Sequence, residues 1–163
     1  MWMALVIEIR DRELYVLSGS GSAKNLKVHK AFRIFLKESL FTNNDVKFDD
    51  ATIGDIKQKL KEHQINDKKV HLVINHRIIL TKDLIVPKID KKKLEFLISN
   101  EMTTMLNLTR EFVVDYRILD EIEVEGIKQY HCLSSAIRRK TVEGLEILFE
   151  GMGMKIVSIQ GAS

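Results

Sequence analysis

The stretch ALVIEIRDRELYVL, Ala4 to Leu17, sets one apolar run, closing at Ile9, against a second that begins at Leu14. Between them stand Arg10, Asp11, Arg12 and Glu13, four consecutive charged residues. Such a knot cannot follow its neighbours into a core without partners. The pattern predicts a strand, a tight turn and a returning strand, with Leu5–Ile9 pairing Leu14–Leu17. Glu8 sits near the end of the first strand, so the turn also poses a chemical question, whether its charges grip an anion.

Working outward, Gly19–Ser22 reads as a flexible turn. Leu26–Leu36 is a third strand whose apolar side carries Val28, Phe32 and Ile34. Phe41–Asp50, rich in Asn and Asp, is a loop. Thr52-Ile-Gly-Asp55 has capping-box spacing, and Ile53, Ile56 and Leu60 then recur at helical spacing, giving a helix over 52–63. Val70–Ile74 is a compact buried strand. A second pattern starts at Arg77. Ile78–Val86 is a strand stopped by Pro87. Asp90 caps a helix over 91–106 whose buried face holds Leu94, Leu97, Ile98, Met102, Met105 and Leu106. Phe112–Leu119 and Ile127–Ile137 are strands joined through a Glu125-Gly126 turn. Thr141 caps a further helix bearing Val142, Leu145, Leu148, Phe149 and Met152, which Gly151 and Gly153 end. Met154–Ile159 is the last strand. The order is β-β-β-α-β, then β-α-β-β-α-β.

The chain of 163 residues fits one domain or two small lobes. An apolar fraction of 45% suffices for a real core, while a net charge of +3 argues for neither nucleic acid nor membrane surface. Cys132 is the one cysteine, so no internal disulfide forms, and a reducing compartment is expected. Glu8, Arg10, Asp11 and Arg12 interrupt any signal-peptide stretch. The five histidines share no metal-ligand spacing. His131 and Cys132, adjacent on a strand, point to opposite faces and read as an edge histidine and a core cysteine. Neither GxxxxGK[ST] nor GxGxxG occurs. Lys88 and Lys91–Lys93 crowd a helix start against its dipole, which reads either as a solvated end or as a patch facing acidic lipid or nucleic acid, with no aromatic residues for base stacking. Glu101 lies at the border of a buried helical stripe, expected to pair with a neighbour. No catalytic set and no metal site emerges.

The segment Leu94–Leu119, LEFLISNEMTTMLNLTREFVVDYRIL, resembles the type IV pilus assembly protein PilM family, bacterial actin-like relatives of the cell-division protein FtsA. The matching pattern is a helix with a late acid, a small-apolar turn, an acidic position and Asp-Tyr-x-apolar-Leu. Here these are Glu101, Leu106, Glu111, Asp115, Tyr116 and Leu119. Upstream, Leu84–Pro87 is similar to the family's apolar-Pro step. Downstream, Ser134–Ile137, Thr141-Val142 and Gly151–Ile156 are similar to its strand, helix and turn. The order of elements fits throughout the chain.

The resemblance implies a mixed α/β and α+β architecture: an actin-like lobe IA with an inserted βαββ-type lobe IC. Lobe IA takes residues 1–75 and 156–163, in part, and lobe IC takes 76–155. The second half of the family's fold is missing, and the tail Gly161-Ala162-Ser163 directly follows an apolar run, as expected of an N-terminal portion of a longer protein. Laid on the family's first phosphate turn, its Asp falls on Glu8, its Gly on Arg10, its Ser on Asp11 and its Lys on Tyr15. Side chains at a Gly position keep backbone amides away from phosphate, so nucleotide binding is expected to be lost or very weak and no cofactor is expected in this chain. ATP and magnesium belong only to a full-length form. What remains implied is a cytoplasmic scaffold, peripheral at the inner face of the cell membrane, in type IV pilus, competence or secretion assembly. It would hold the cytosolic N-terminal peptide of a PilN-like membrane protein, alongside the assembly ATPase or other platform components, with no nucleic acid. The implied peptide groove is walled by the strand Ile78–Val86, Pro87 and the helix Thr141–Met152, with Leu84, Pro87, Leu145 and Phe149 lining it. The alternative is an actin-like ATPase completed by the missing C-terminal half.

Overall fold

The computed structural model describes residues 2–22, 24–43 and 45–162. Met1, Ala23, Asn44 and Ser163, which fall in the expected first lobe, lie outside the described residues. Two units divide the chain: the first runs to Ile78 and resumes over Lys140–Ala162, and the second is Ile79–Arg139.

The first unit is built on a five-stranded sheet. Its opening hairpin joins β1 (Trp2–Ile9) to β2 (Glu13–Gly21), antiparallel, with Ile9 opposite Leu14. β3 (Leu26–Phe35) adds antiparallel to β2. A short hairpin of β4 (Phe41–Thr42) and β5 (Asp45–Val46) interrupts what sequence suggested was plain loop. After helix α1 (Asp50–Glu62), β6 (Lys69–Ile74) lies parallel to β1. The order is completed by β10 (Lys155–Gly161), parallel to β6 on its other side.

Strand alternation sends Leu5, Ile7, Ile9, Leu14, Val16, Val70, Leu72 and Ile74 to one buried face. Ile56 and Leu60 of α1 are buried with them, as are Leu145, Leu148 and Phe149 of α3 (Arg139–Gly151). Helix α1 starts one turn earlier than its capping-box spacing suggested. Asp49 is the cap, accepting the Thr52 amide and hydroxyl, both at 2.8 Å. Those hydrogen bonds hold the Asp49 carboxyl below its ordinary range. Three further expectations change. β2 continues through Gly19 to Gly21, so no turn begins there. Val28 faces away from Phe32 and Ile34, because the β2–β3 register slips between Ser18 and Gly19: Val28 pairs Gly19 and Lys30 pairs Ser18. The skipped His29 flips one residue to the other face. And Thr141 lies inside α3 rather than capping it.

The second unit is a three-stranded antiparallel sheet in the order β7-β9-β8, with β7 (Leu80–Pro87), β8 (Phe112–Val124) and β9 (Ile127–Arg138). Helix α2 (Lys91–Leu106) covers one face, capped by Asp90 through the Lys93 amide at 3.0 Å. The β8–β9 turn places Glu125 and Gly126 at φ of 51° and 79°, the left-handed pair of a type I′ hairpin. Leu94, Ile98 and Met102 meet Leu84, Val86, Cys132 and Ala136 in the core. Met105 and Glu101 are exposed instead, outside that stripe. His131 lies on the central strand, not at an edge, with ring nitrogens 3.2 and 3.1 Å from carboxylate oxygens of Asp120 and Asp83.

This division corrects the expected boundaries. The second unit is βαββ as the fold class anticipated, but it ends at Arg139, so α3 belongs to the first unit rather than to residues 76–155. Two glycines show the packing. A Cβ on Gly144 would stand 2.9 Å from Val46 Cβ, and one on Gly151 would stand 2.9 Å from Ile53 Cδ1. Both neighbours lie in the first unit, and α3 approaches them closely because it offers no side chain there.

Gly54 in α1 has nothing within 4 Å of its would-be Cβ, so Gly54→Ala should stabilise by about 1 kcal/mol through helix propensity. Gly144→Val should destabilise by about 1–3 kcal/mol through overpacking. Denaturant melts of both variants check the pair; a neutral Gly144→Val would show that α3 does not pack there. In the second unit, Ser134 Oγ is buried with no hydrogen-bond partner. Removing an unsatisfied hydroxyl relieves its desolvation cost, so Ser134→Ala should raise stability by on the order of 1 kcal/mol. A loss in the same melt would mean that the hydroxyl is satisfied.

Candidate functional site

The opening hairpin closes on the Arg10 amide, which donates to the Glu13 carbonyl at 2.9 Å, leaving Asp11 and Arg12 as the loop. Neither takes a left-handed φ. Among the described non-glycine residues, only Asn43, Gln64, Asn107 and Glu125 do. An anion nest needs right- and left-handed residues in succession so that adjacent amides converge. This loop lacks that alternation.

The side chains of Arg10, Asp11 and Arg12 are each engaged with residues flanking the turn or beyond it. The Arg10 guanidinium lies 3.4 Å from Glu8 Oε1, donates to the Tyr15 hydroxyl at 3.4 Å, and stacks 4.2 Å above the Tyr15 ring. Glu8 also accepts from Asn75 Nδ2 at 3.0 Å. Asp11 faces His76 at 3.9 Å. Arg12 donates to the Lys37 carbonyl, tying the loop to the end of β3. Arg33 reaches over Tyr15 and Phe35, at 5.8 and 5.3 Å from their ring centroids. Glu8, Arg10 and Tyr15 are thus brought together by cation–π and ionic contacts, while Asp11 turns instead toward His76.

The four residues expected to line a peptide groove fall in both units. Leu84 is 7% exposed and belongs to the second unit's core. Leu145 and Phe149, 0% and 1% exposed, are core side chains of α3. Pro87, at the end of β7, is the exposed member. Periodicity identified the buried residues without telling core from groove, since both demand apolar side chains. Ile85, 60% exposed on the opposite face of β7 from Leu84, carries the surface signal that was missed.

Cys132 is fully buried, and burial pushes its thiol pKa up, which disfavours the nucleophilic thiolate. Among the described residues no group of three or more His, Cys, Asp or Glu is arranged to hold a metal ion. No described helix is long and apolar enough to cross a membrane. On the face of the five-stranded sheet opposite its core, a cavity of about 480 Å³ is floored by Val6, Leu17 and Val28, with His71 Nδ1 2.8 Å from Ser158 Oγ beside it.

No family model matches the chain, and no curated protein matches it. Solved structures do. A chain of a PilM–PilN type IV pilus biogenesis complex superposes with a TM-score of 0.79 at 22% identity, covering 97% of this chain and 47% of that one. The cytoplasmic domain of EpsL, an inner-membrane component of the Vibrio cholerae type II secretion system, gives 0.56 at 8% identity, covering 98% and 57%. A Bacteroides thetaiotaomicron protein of actin-like ATPase fold and unknown function gives 0.45 at 12%, covering 97% and 51%. The PilM-type fold expected from the sequence is the fold found. The chain spans about half the length of these neighbours.

A loop without an amide nest, whose guanidinium groups are engaged, Arg10 with Glu8 and Tyr15 and Arg12 with the Lys37 carbonyl, is a poor phosphate grip. Titration calorimetry of the chain with Mg-ATP should give no binding heat. Micromolar binding that Arg10→Ala abolishes would overturn this.

Proposed function

We propose that this chain serves as a docking component of type IV pilus or related secretion assembly, binding the cytosolic N-terminal peptide of a PilN-like inner-membrane protein. The observation that carries the proposal is the match over 97% of the chain to one partner of a PilM–PilN complex. The turn at Arg10–Glu13 supports docking over nucleotide chemistry, because Arg10 is engaged by Glu8 and Tyr15 and Arg12 by the Lys37 carbonyl. The protein works at the cytoplasmic face of the inner membrane, where other platform components and the assembly ATPase are its further partners. It needs no cofactor of its own.

The bound peptide is extended, with a few apolar anchors and main-chain hydrogen bonds supplying affinity. Of the four groove residues, Pro87 is the one whose side chain is free to touch it. Ile85 lies two residues earlier on the same face of β7.

A synthetic peptide copied from the N-terminus of the cognate PilN-like protein should bind the folded chain. Pro87→Asp and Ile85→Asp should weaken that binding while leaving the melting temperature unchanged. Leu84→Asp and Leu145→Asp should instead unfold the protein, since both replace core side chains. If neither this chain nor a longer form containing it binds the peptide, the docking reading fails.

A further inference from the structure

In the first unit, α1 and α3 meet where Ile53 crowds Gly151. Leu145, Leu148 and Phe149 of α3 are buried, so helical periodicity turns Glu143, Glu146, Ile147 and Glu150 to solvent. Ile147 is 60% exposed, an apolar side chain set among three acids. Glu146 and Glu150 stand one turn apart, a spacing at which like charges destabilise a helix. Among the described residues, none of the three glutamates has a cation within salt-bridge distance.

Where α1 ends beside the α3–β10 turn, a hollow of about 780 Å³ opens. Leu60, Ile65, Met152 and Met154 form its buried floor. Gly153, at a φ of 75°, makes the turn that brings both methionines there, and the Met154 amide closes it by donating to Phe149 at 2.8 Å. Methionines adapt their shape to an inserted side chain. Lys57, Lys61 and Lys68 stand on the rim, none with a carboxylate within salt-bridge distance among the described residues. Of the two rim acids, Glu62 is held by Lys59 at 3.4 Å, which leaves Asp67. Lys57 and Lys61 repeat, with opposite sign, the one-turn spacing of Glu146 and Glu150.

The helical layer of this unit thus holds both halves of one contact: an apolar knob among acids, and an apolar hollow among lysines. A two-fold interface between identical chains requires such a self-complementary surface. We propose that the α1–α3 face is where two copies of this chain dimerise. Ile147 of one copy enters the hollow of the other, Glu146 and Glu150 meet its Lys57 and Lys61, and the two-fold axis repeats the contact in reverse. A foreign acidic helix would fill the hollow and leave the α3 acids unpaired, whereas a second copy pairs both sets at once. The contact lies wholly in the first unit and is independent of the peptide docking at β7.

Sedimentation of the whole chain over a range of concentrations should show a monomer–dimer equilibrium. Its dissociation constant should rise about tenfold between about 0.1 M and about 1 M salt, as the Debye length falls from about 10 to about 3 Å. A Glu146→Lys/Glu150→Lys variant and a Lys57→Glu/Lys61→Glu variant should each be monomeric, because like charges then face each other across the axis. All four positions are exposed, so melting temperatures should hold. Mixed together, the two variants should associate again. The glutamates kept by one meet the lysines kept by the other, and the new lysines meet the new glutamates. A chain that stays monomeric at millimolar concentration, a dimer indifferent to either reversal, or a mixture that does not associate would each overturn the proposal.

Discussion

β6 carries the architecture of the first unit. Val70, Leu72 and Ile74 are buried on it, and it is hydrogen-bonded in parallel to β1 on one side and β10 on the other. Backbone bonds extend both ladders: the Asn75 amide donates to Ile9, Lys155 to Lys68 and Ala162 to Ile74, at 2.8, 2.7 and 3.0 Å. Parallel neighbours need long crossovers. One runs from β1 through the hairpins and α1 to β6. The other, from β6 to β10, contains the whole second unit and α3. Both excursions are anchored by the same six-residue strand, so its apolar alternation is the feature the rest must accommodate.

Much of this was legible because local signals were consistent with one another. Asp90, the apolar spacing of 94, 98 and 102, and Glu125-Gly126 specify α2 and the β8–β9 hairpin with no tertiary information. Where reading from sequence failed, a competing local cap or a non-local contact had decided. The capping-box spacing at Thr52 competed with Asp49, whose carboxylate reaches the same helix end one turn earlier. The skipped residue at His29 depends on what β2 offers opposite it, and nothing in β3 alone announces that Val28 will change face. The amphipathic pattern of α3 shows that one face is buried but not against which sheet. Gly144 and Gly151 held that information, as places where another element comes too close for a side chain, and a glycine in a helix reads equally well as a weak point.

For the candidate sites the distinction was between composition and direction. The replacement of Gly and Ser by Arg10 and Asp11 was visible in sequence, and the network around Tyr15 gives it a physical form. The groove residues were chosen as apolar and well spaced, criteria that core positions satisfy as well, and three of the four are buried. Ile85 and Phe96 are exposed apolar side chains that break the core pattern, a signal that gains meaning only once the faces of their elements are assigned.

The way the second unit interrupts the first has a kinetic consequence. Residues 79–139 form one contiguous βαββ stretch in which a hairpin joins β8 to β9 and β7 pairs β9 across α2 and β8, both pairs nearer in sequence than β6 and β10. Contacts of short sequence separation close early, because little loop entropy opposes them. The β6–β10 ladder can form only after that entire stretch and α3 have emerged from the ribosome. During synthesis, then, the later-made unit is able to fold while the earlier one still waits with β6 unpaired on one side. The first unit is the last to become complete, and its bare β6 edge is the surface most exposed to mispairing in that interval.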